Sequence, residues 1–295
     1  MKQTLLADIG GTYTRLWLLN DGQVVEMRTY THKTRTPIKS SIHTFLTETK
    51  ARPIMFVAGA AGQLDPAGKI KLTNGKLMVN MPRLCQTFGF EIGLLANDMV
   101  FHTASILGQP DSKNACVIVI GTGLGCAYIR DGRITATEAG HTPIPRRSEV
   151  IKSLDGHIWE DIVSGPAFLR IYHSLSDKPV TRSRDVSFLA HNYNDRTALM
   201  TYKIMAQTLA HFCLTVYKKH NIPVFYLGGL AIELIRSERT RQVFFDTLGR
   251  MADVLSIRII RPTDESALTG LKIIARELTE NGTTNMIRGE DFYLY

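Results

Sequence analysis

The chain has 295 residues, 44% hydrophobic and 21% charged, an ordinary globular composition that lends no support to disorder, a collagen repeat or a disulfide scaffold. At roughly 150 residues per domain it has room for two domains or one large one. Its 35 Lys and Arg against 27 Asp and Glu leave a formal charge of +8; the basic residues are scattered or interleaved with acids, so the expected anionic partner is a phosphorylated small molecule and not nucleic acid.

The longest apolar runs, such as Ala115 to Ile120 and Val224 to Leu227, are far shorter than the roughly 20 residues of a membrane-spanning helix. The N-terminal run Leu5 to Ala7 is cut by Asp8 and is too short for a secretory signal, so a cytoplasmic location is expected. Cys85, Cys116, Cys126 and Cys213 form no C-x-x-C pair and are expected to be reduced core residues.

From Thr4 the sequence runs apolar to Ile9, breaks at Gly10-Gly11-Thr12, runs apolar again from Arg15 to Leu19 and reaches Asp21-Gly22. Asp-Gly between β-type runs is a two-residue hairpin signal, so residues 4 to 30 are expected to form three antiparallel strands. The pattern recurs at Ala115 to Ile120, Gly121-Thr122-Gly123-Leu124-Gly125, Ala127 to Ile129 and Asp131-Gly132. Gly11, Thr12, Asp21 and Gly22 each recur 110 positions on, which indicates a duplicated hairpin unit with a cleft between the copies.

Between the copies the pattern predicts a helix over 38–50, a strand over 54–57, a turn-rich stretch over 59–80, and a strand over 92–96 that delivers Asn97-Asp98. These two residues suit either the floor of a cleft or the N-cap of a helix over 100–107. Beyond the second copy, Ser164-Gly165-Pro166 reads as a helix start running to Leu175. Apolar residues at helical spacing predict a long core helix over 195–219, followed by strands over 224–227 and 257–260 and a helix over 266–280. Strands alternating with helices argue for α/β architecture with ligands at strand ends.

The two glycine loops can present converging backbone N–H groups to phosphates. Neither is a familiar fingerprint. The second has Cys126 where a dinucleotide loop needs glycine, and Gly75-Lys76 lacks the flanking residues of a Walker A loop. Asp8, at the end of the first strand, could hold the Mg²⁺ that accompanies a nucleotide, directly or through water, or simply bond its own turn.

Taken together, Leu6-Ala7-Asp8-Ile9-Gly10-Gly11-Thr12 with Arg15, Gly121 to Gly125, Thr73-Asn74, Asn97-Asp98, Glu138-Ala139-Gly140-His141, Glu160 through Pro166, and Leu227-Gly228-Gly229 resemble, in order and spacing, the bacterial glucokinase family of actin-like, hexokinase-type ATPases. The resemblance implies a two-domain α/β, ribonuclease-H-like fold with an interdomain cleft and a hinge near residues 97–110. It implies a smaller domain over 1–108, a larger one over 109–280, and a segment 281–295 packing back on the first.

It implies phosphorylation of glucose at C6, dependent on ATP and Mg²⁺, with Asp98 as general base. Thr73, Asn74, Asn97, Asp98, Glu138, His141 and Glu160 would bind the sugar. Asp8, Gly10, Gly11, Thr12, Gly121, Thr122 and Gly123 would bind phosphates and metal, and Gly228 and Gly229 the adenosine. Another hexose or N-acetylhexosamine, polyphosphate as donor, and a non-catalytic sugar-binding regulator are the alternatives. Tyr13 stands where the family usually has Asn, and Ala139 where it commonly has Gly. No Cys lies between 126 and 213, so the zinc cluster of many relatives is not expected. The expected partners are a sugar and a nucleotide, with no nucleic acid and no membrane, and a homodimer is the default for a soluble enzyme.

Overall fold

The computed structural model describes residues 2–32, 38–73, 77–145, 149–260 and 263–295, the side chains of 263 and 264 excepted. Asn74, Gly75, Lys76, Arg146 and Arg147 lie outside them.

The chain opens with strands β1 (Gln3–Ile9), β2 (Tyr13–Asn20) and β3 (Gln23–Thr31), paired antiparallel in sequence. Asp21 and Gly22 both have positive φ, 46° and 80°, as the tight turn requires. Helix α1 (Ile38–Thr49) and strands β4 (Met55–Ala60), β5 (Lys69–Lys71) and β6 (Met78–Asn80) follow, β5 and β6 forming a small antiparallel pair within the stretch expected to be turn-rich. Helix α2 (Met81–Phe88) is capped by the Asn80 side chain, which accepts from the Arg83 amide, and stops at Gly89 in the left-handed region. Strand β7 (Ile92–Asn97) runs directly into α3 (Asp98–Ala104), which starts two residues before the expected helix.

The second hairpin comprises β8 (Asn114–Ile120), β9 (Leu124–Arg130) and β10 (Arg133–Thr137). Its turn repeats the first: Asp131 and Gly132 have φ of 53° and 75°. The helices α4 (Glu149–Lys152), α5 (Trp159–Ile162), α6 (Gly165–Leu175), α7 (Ser183–Tyr193) and α8 (Arg196–His220) lead to β11 (Val224–Gly229). Helices α9 (Leu230–Arg236) and α10 (Glu238–Leu248), strand β12 (Ser256–Ile259), helix α11 (Thr263–Asn281) and strand β13 (Phe292–Leu294) complete the chain.

Two larger sheets result, with strand orders β13-β7-β4-β1-β2-β3 and β10-β9-β8-β11-β12. β1, β4 and β7 are parallel neighbours, as are β8, β11 and β12. The chain falls into two compact units, the first comprising Met1–Lys113, Ala127–Ala136 and Pro262–Tyr295, the second Asn114–Cys126 and Thr137–Arg261. This differs from the expected boundary at 108 with residues 109–280 in the second domain. The difference is tertiary: α11 packs on α3, β1 and β4, and β13 joins the edge of β7.

Within the first unit Leu5, Ala7 and Ile9 of β1 share a core with Ile42 and Phe45 of α1 and with Met81 and Leu84 of α2. Side chains alternate along a strand, so Leu6 and Asp8 project to the opposite sheet face. There His102 of α3, buried at 4% exposure, bonds Ser266 of α11 across 164 positions at 2.8 Å. All four cysteines are buried and unbridged; burial pushes the Cys85 thiol up to about 11. No helix among the described residues is long and apolar enough to cross a membrane.

Asp291, just before β13, carries a strained charge. Burial, and next the neighbouring Glu290, raise its carboxyl to about 6, and its Oδ2 has no hydrogen-bond partner among the described residues. A folded-state value above the ordinary 3.8 means that the native state binds this proton more tightly than the unfolded chain, so stability falls as pH rises through that window. Asp291→Asn is expected to raise the unfolding midpoint above pH 6, with the gain vanishing below pH 4; thermal unfolding across pH 3.5–8 checks this, and a pH-independent difference would refute it.

Candidate functional site

The first glycine loop joins β1 to β2. The Gly10 amide bonds the Tyr13 carbonyl at 2.9 Å, while two side-chain tethers hold the flanks. His32, just past β3, lies 3.2 Å from the Gly11 carbonyl through Nδ1 and 2.8 Å from the Thr14 hydroxyl through Nε2. Across the β1–β2 ladder Asp8 faces Arg15, which donates to its Oδ2 at 2.8 Å. Among the described residues that leaves Oδ1 and the second lone pair of Oδ2 as oxygen donors of the kind Mg²⁺ takes. Thr12 is exposed at the loop's tip.

Asn97 and Asp98 stand where β7 becomes α3. The Asn97 Oδ1 accepts from the Met99 amide at 2.9 Å, capping α3, and its Nδ2 donates to the Gly62 carbonyl at 2.9 Å. The N-cap role is therefore filled, and among the described residues one amide hydrogen and one oxygen lone pair remain. The half-buried carboxylate of Asp98 also accepts from the Met99 amide through Oδ1, at 2.9 Å. A strand end and a capped helix thus fix its direction. Thr73, exposed, bonds the Ala61 carbonyl through both its amide and its hydroxyl.

In the second unit the loop Gly121-Thr122-Gly123 meets backbone from three directions. An added Cβ would lie 2.9 Å from the Gly121 carbonyl at Gly165, 2.4 Å from the Leu124 carbonyl at Gly140 and 2.1 Å from the Ile120 carbonyl at Gly229. None of these positions admits a side chain without movement. The Gly165 amide, first residue of the eleven-residue α6, donates to the Gly121 carbonyl at 2.8 Å, so the loop sits at a helix N-terminus, a setting favourable to anions. Gly229 pairs with Ile120 in the β11–β8 register, which sets Gly228-Gly229 at the head of the same loop.

Beside the loop lies a polar array. Segments 142–144 and 157–159 pair through Ile144 to His157 and Trp159 to Thr142, and the Asp161 carboxylate accepts from the Ile158 and His157 amides, which holds it below the usual carboxylate range. This fixes α5 so that Glu160 Oε2 accepts from the Leu124 amide at 2.8 Å while Oε1 stands 3.6 Å from His141 Nε2. His141 Nδ1 is 2.7 Å from Glu138. Burial opposes a positive charge on His141, but the hydrogen bond and charge of Glu138 with the charge of Glu160 outweigh it, and its pKa is raised. The array can accept and donate several hydrogen bonds at once, as a polyol requires.

The structure thus gathers Asp8, Asn97 and Asp98 at strand ends of the first unit. It joins Glu138, His141, Glu160, the 121–123 loop and Gly228-Gly229 in the second. The sequence reading passed over His32, which has no motif around it. It also missed Glu233 of α9, which accepts from the Tyr202 hydroxyl of α8 next to Ser187; Tyr202 reads only as one apolar position in a helical stripe.

An α/β chain that carries a glycine-loop hairpin in two copies has the actin-like ATPase fold of the sugar kinases. The fold matches a glucokinase from Streptomyces griseus solved with glucose and AMPPNP, at a TM-score of 0.73 and 18% identity over 93% of this chain and 99% of that one. It matches a hexokinase from Thermus thermophilus at a TM-score of 0.71 and 18% identity, covering 95% and 100%. A curated glucokinase from Allorhizobium ampelinum is 26% identical over 319 aligned positions, covering 94% of this chain and 93% of its own. The glucokinase family model matches residues 5–276; the chain belongs to the glucokinase family and is a hexose kinase.

The raised pKa of His141 means that its protonated form is favoured by the fold; that contribution is present below the ordinary value of 6.5 and is lost as pH rises through the folded value. Imidazole titration by NMR is expected to give a midpoint above 6.5, dropping in Glu138→Gln. An unchanged midpoint would break the link to Glu138. Gly140→Ala is expected to lower stability by about 1–3 kcal/mol through overpacking, measurable by urea unfolding, and an unaffected midpoint would show that the loop yields freely.

Proposed function

We propose that this hexose kinase transfers the γ-phosphoryl group of ATP to the C6 hydroxyl of glucose, with Asp98 as general base. The observation that carries the proposal is the Asp98 carboxylate, aimed from a strand–helix junction by its bond to the Met99 amide. A primary alcohol is a poor nucleophile at neutral pH, and a fixed carboxylate accepts its proton as the C6 oxygen forms its bond to phosphorus. The bond from phosphorus to the β,γ-bridging oxygen breaks with its electron pair leaving on ADP, and glucose 6-phosphate results.

Glu138, His141 and Glu160 are assigned to the remaining sugar hydroxyls, with Asn97, Thr73 and Asn74 as further sugar contacts. A sugar lacking one of these hydroxyls would leave a polar partner unpaired and be rejected accordingly. Backbone amides of Gly10, Gly11, Thr12, Gly121, Thr122 and Gly123 are assigned to phosphate oxygens, and Gly228-Gly229 to the adenosine side. In support, nothing would crowd a Cβ at Gly121 within 4 Å, so that stretch of backbone is open to a bulky group. The Asp8 oxygen lone pairs that no described residue uses fit Mg²⁺, directly or through water. The metal, when bound, neutralises charge on the phosphates. The Streptomyces griseus relative, solved with glucose and AMPPNP, supports this pair of substrates.

Asp98→Asn is expected to cut turnover by at least about 10²-fold while calorimetry finds glucose affinity within a few-fold of the parent; unchanged turnover would remove Asp98 from the mechanism. In a coupled assay of hexose phosphorylation, glucose with ATP is expected to give the highest kcat/KM among glucose, mannose, fructose and N-acetylglucosamine paired with ATP or polyphosphate.

A further inference from the structure

His32, one residue past β3, holds the first glycine loop at two successive peptide units. Its own amide donates to the Thr12 carbonyl at 2.9 Å. Its ring stands 3.2 Å from the Gly11 carbonyl through Nδ1 and 2.8 Å from the Thr14 hydroxyl through Nε2. A carbonyl can only accept, so Nδ1 carries the hydrogen, and Nε2 of the neutral ring accepts from the hydroxyl. Thr14 is fully buried in β2, so the far side of the ring is anchored on the strand and not on the loop.

These contacts decide where the loop's amides face. In a trans peptide the C=O and N–H point in opposite directions, and none of the peptide bonds in the loop is cis. With its carbonyl turned onto His32, the Gly11–Thr12 peptide aims the Thr12 N–H away from the ring. That amide has no acceptor among the described residues, nor has the Gly11 amide, and Thr12 is exposed at the tip. The preceding Gly10-Gly11 pair allows the peptide other orientations. Without the ring the unit would be free to turn, and aligning it on binding would cost affinity.

We propose that His32 is a positioning residue for phosphoryl transfer: its ring and amide fix two carbonyls of the first glycine loop and so hold the Thr12 N–H toward the phosphates of the nucleotide. The inference rests on the assignment of this loop to phosphate, and adds a residue outside the loop that sets nucleotide affinity. His32 acts through the loop and makes no bond of its own with a substrate. Sugar affinity is accordingly independent of it.

Labelling with ¹⁵N-threonine gives the Thr12 amide an NMR signal that Thr12→Ser assigns by its loss. In the parent, AMPPNP with Mg²⁺ is expected to move that signal downfield and saturably; a signal that ignores the nucleotide overturns the loop assignment and the role of His32 with it. In His32→Ala, KM for ATP is expected to rise about three- to tenfold, the factor implied by one lost hydrogen bond. KM for glucose stays at the parental value, and AMPPNP binding weakens by the same factor as KM for ATP rises. His32→Asn, whose side-chain amide reaches the place of Nδ1, is expected to recover most of the loss. His32→Gln, whose amide falls at the place of Nε2, is not. Thr14→Val removes only the anchor of the ring and is expected to give a smaller rise, which keeps the test open where His32→Ala does not fold. A Thr12 signal that answers AMPPNP at parental affinity in both His32→Ala and Thr14→Val overturns the positioning role and leaves the loop assignment standing. A joint rise of both KM values, or equal behaviour of the Asn and Gln variants, overturns it as well.

Discussion

The second glycine loop can exist only because backbone meets backbone with no side chain between. Around Gly121-Thr122-Gly123 the 3-10 turn at Ala139–His141, the start of α6 and the end of β11 come so near that a Cβ on Gly140, Gly165 or Gly229 would lie within 3 Å of the Leu124, Gly121 or Ile120 carbonyl. Any larger residue would push one of them away. Their approach brings the polar array along, because Gly140 lies between Glu138 and His141, and Glu160 bonds the Leu124 amide at the loop's exit. The loop assigned to phosphate and the side chains assigned to sugar hydroxyls are thereby one mechanical piece, held by backbone geometry and one carboxylate.

The first loop shows the same hairpin solved differently. It has the same Asp-Gly turn behind it, but its flanks are held by side chains: the His32 ring on Gly11 and Thr14, and Arg15 on Asp8. Duplication of a hairpin therefore does not duplicate its supports. A side-chain tether can be lost by substituting the side chain that makes it, whereas a close backbone approach is lost by adding a methyl group at the glycine that allows it, Gly140, Gly165 or Gly229. The first loop accordingly keeps its backbone amides at an exposed tip, beside a carboxylate suited to a metal, while the second is built into a helix N-terminus.

Much of the site was legible in the sequence because its residues sit at ends of strongly patterned elements. Asp8, Asn97 and Gly229 each close an apolar strand, and Ser164 and Asn97 each cap the helix that follows, by rules that act within a few residues. The helices α2, α7, α9 and α10 were not anticipated. Their apolar positions are few or interrupted, and α2, for all its Asn80 cap and Pro82, is short enough to pass for part of a turn-rich stretch.

What the sequence by itself determined was local: two hairpins with left-handed Asp-Gly turns, the capped helix starts, the buried strands and the family pattern that links them. What only the tertiary structure decided was which distant pieces meet. It placed residues 127–136 and 262–295 with the first unit, joined His102 to Ser266 and set Glu160 against the Leu124 amide. The physical reason is range. A turn or a cap is selected by torsions and hydrogen bonds among neighbours, which leave a mark in composition. A contact across 164 positions depends on the packing of every element between, and no short stretch of sequence records it.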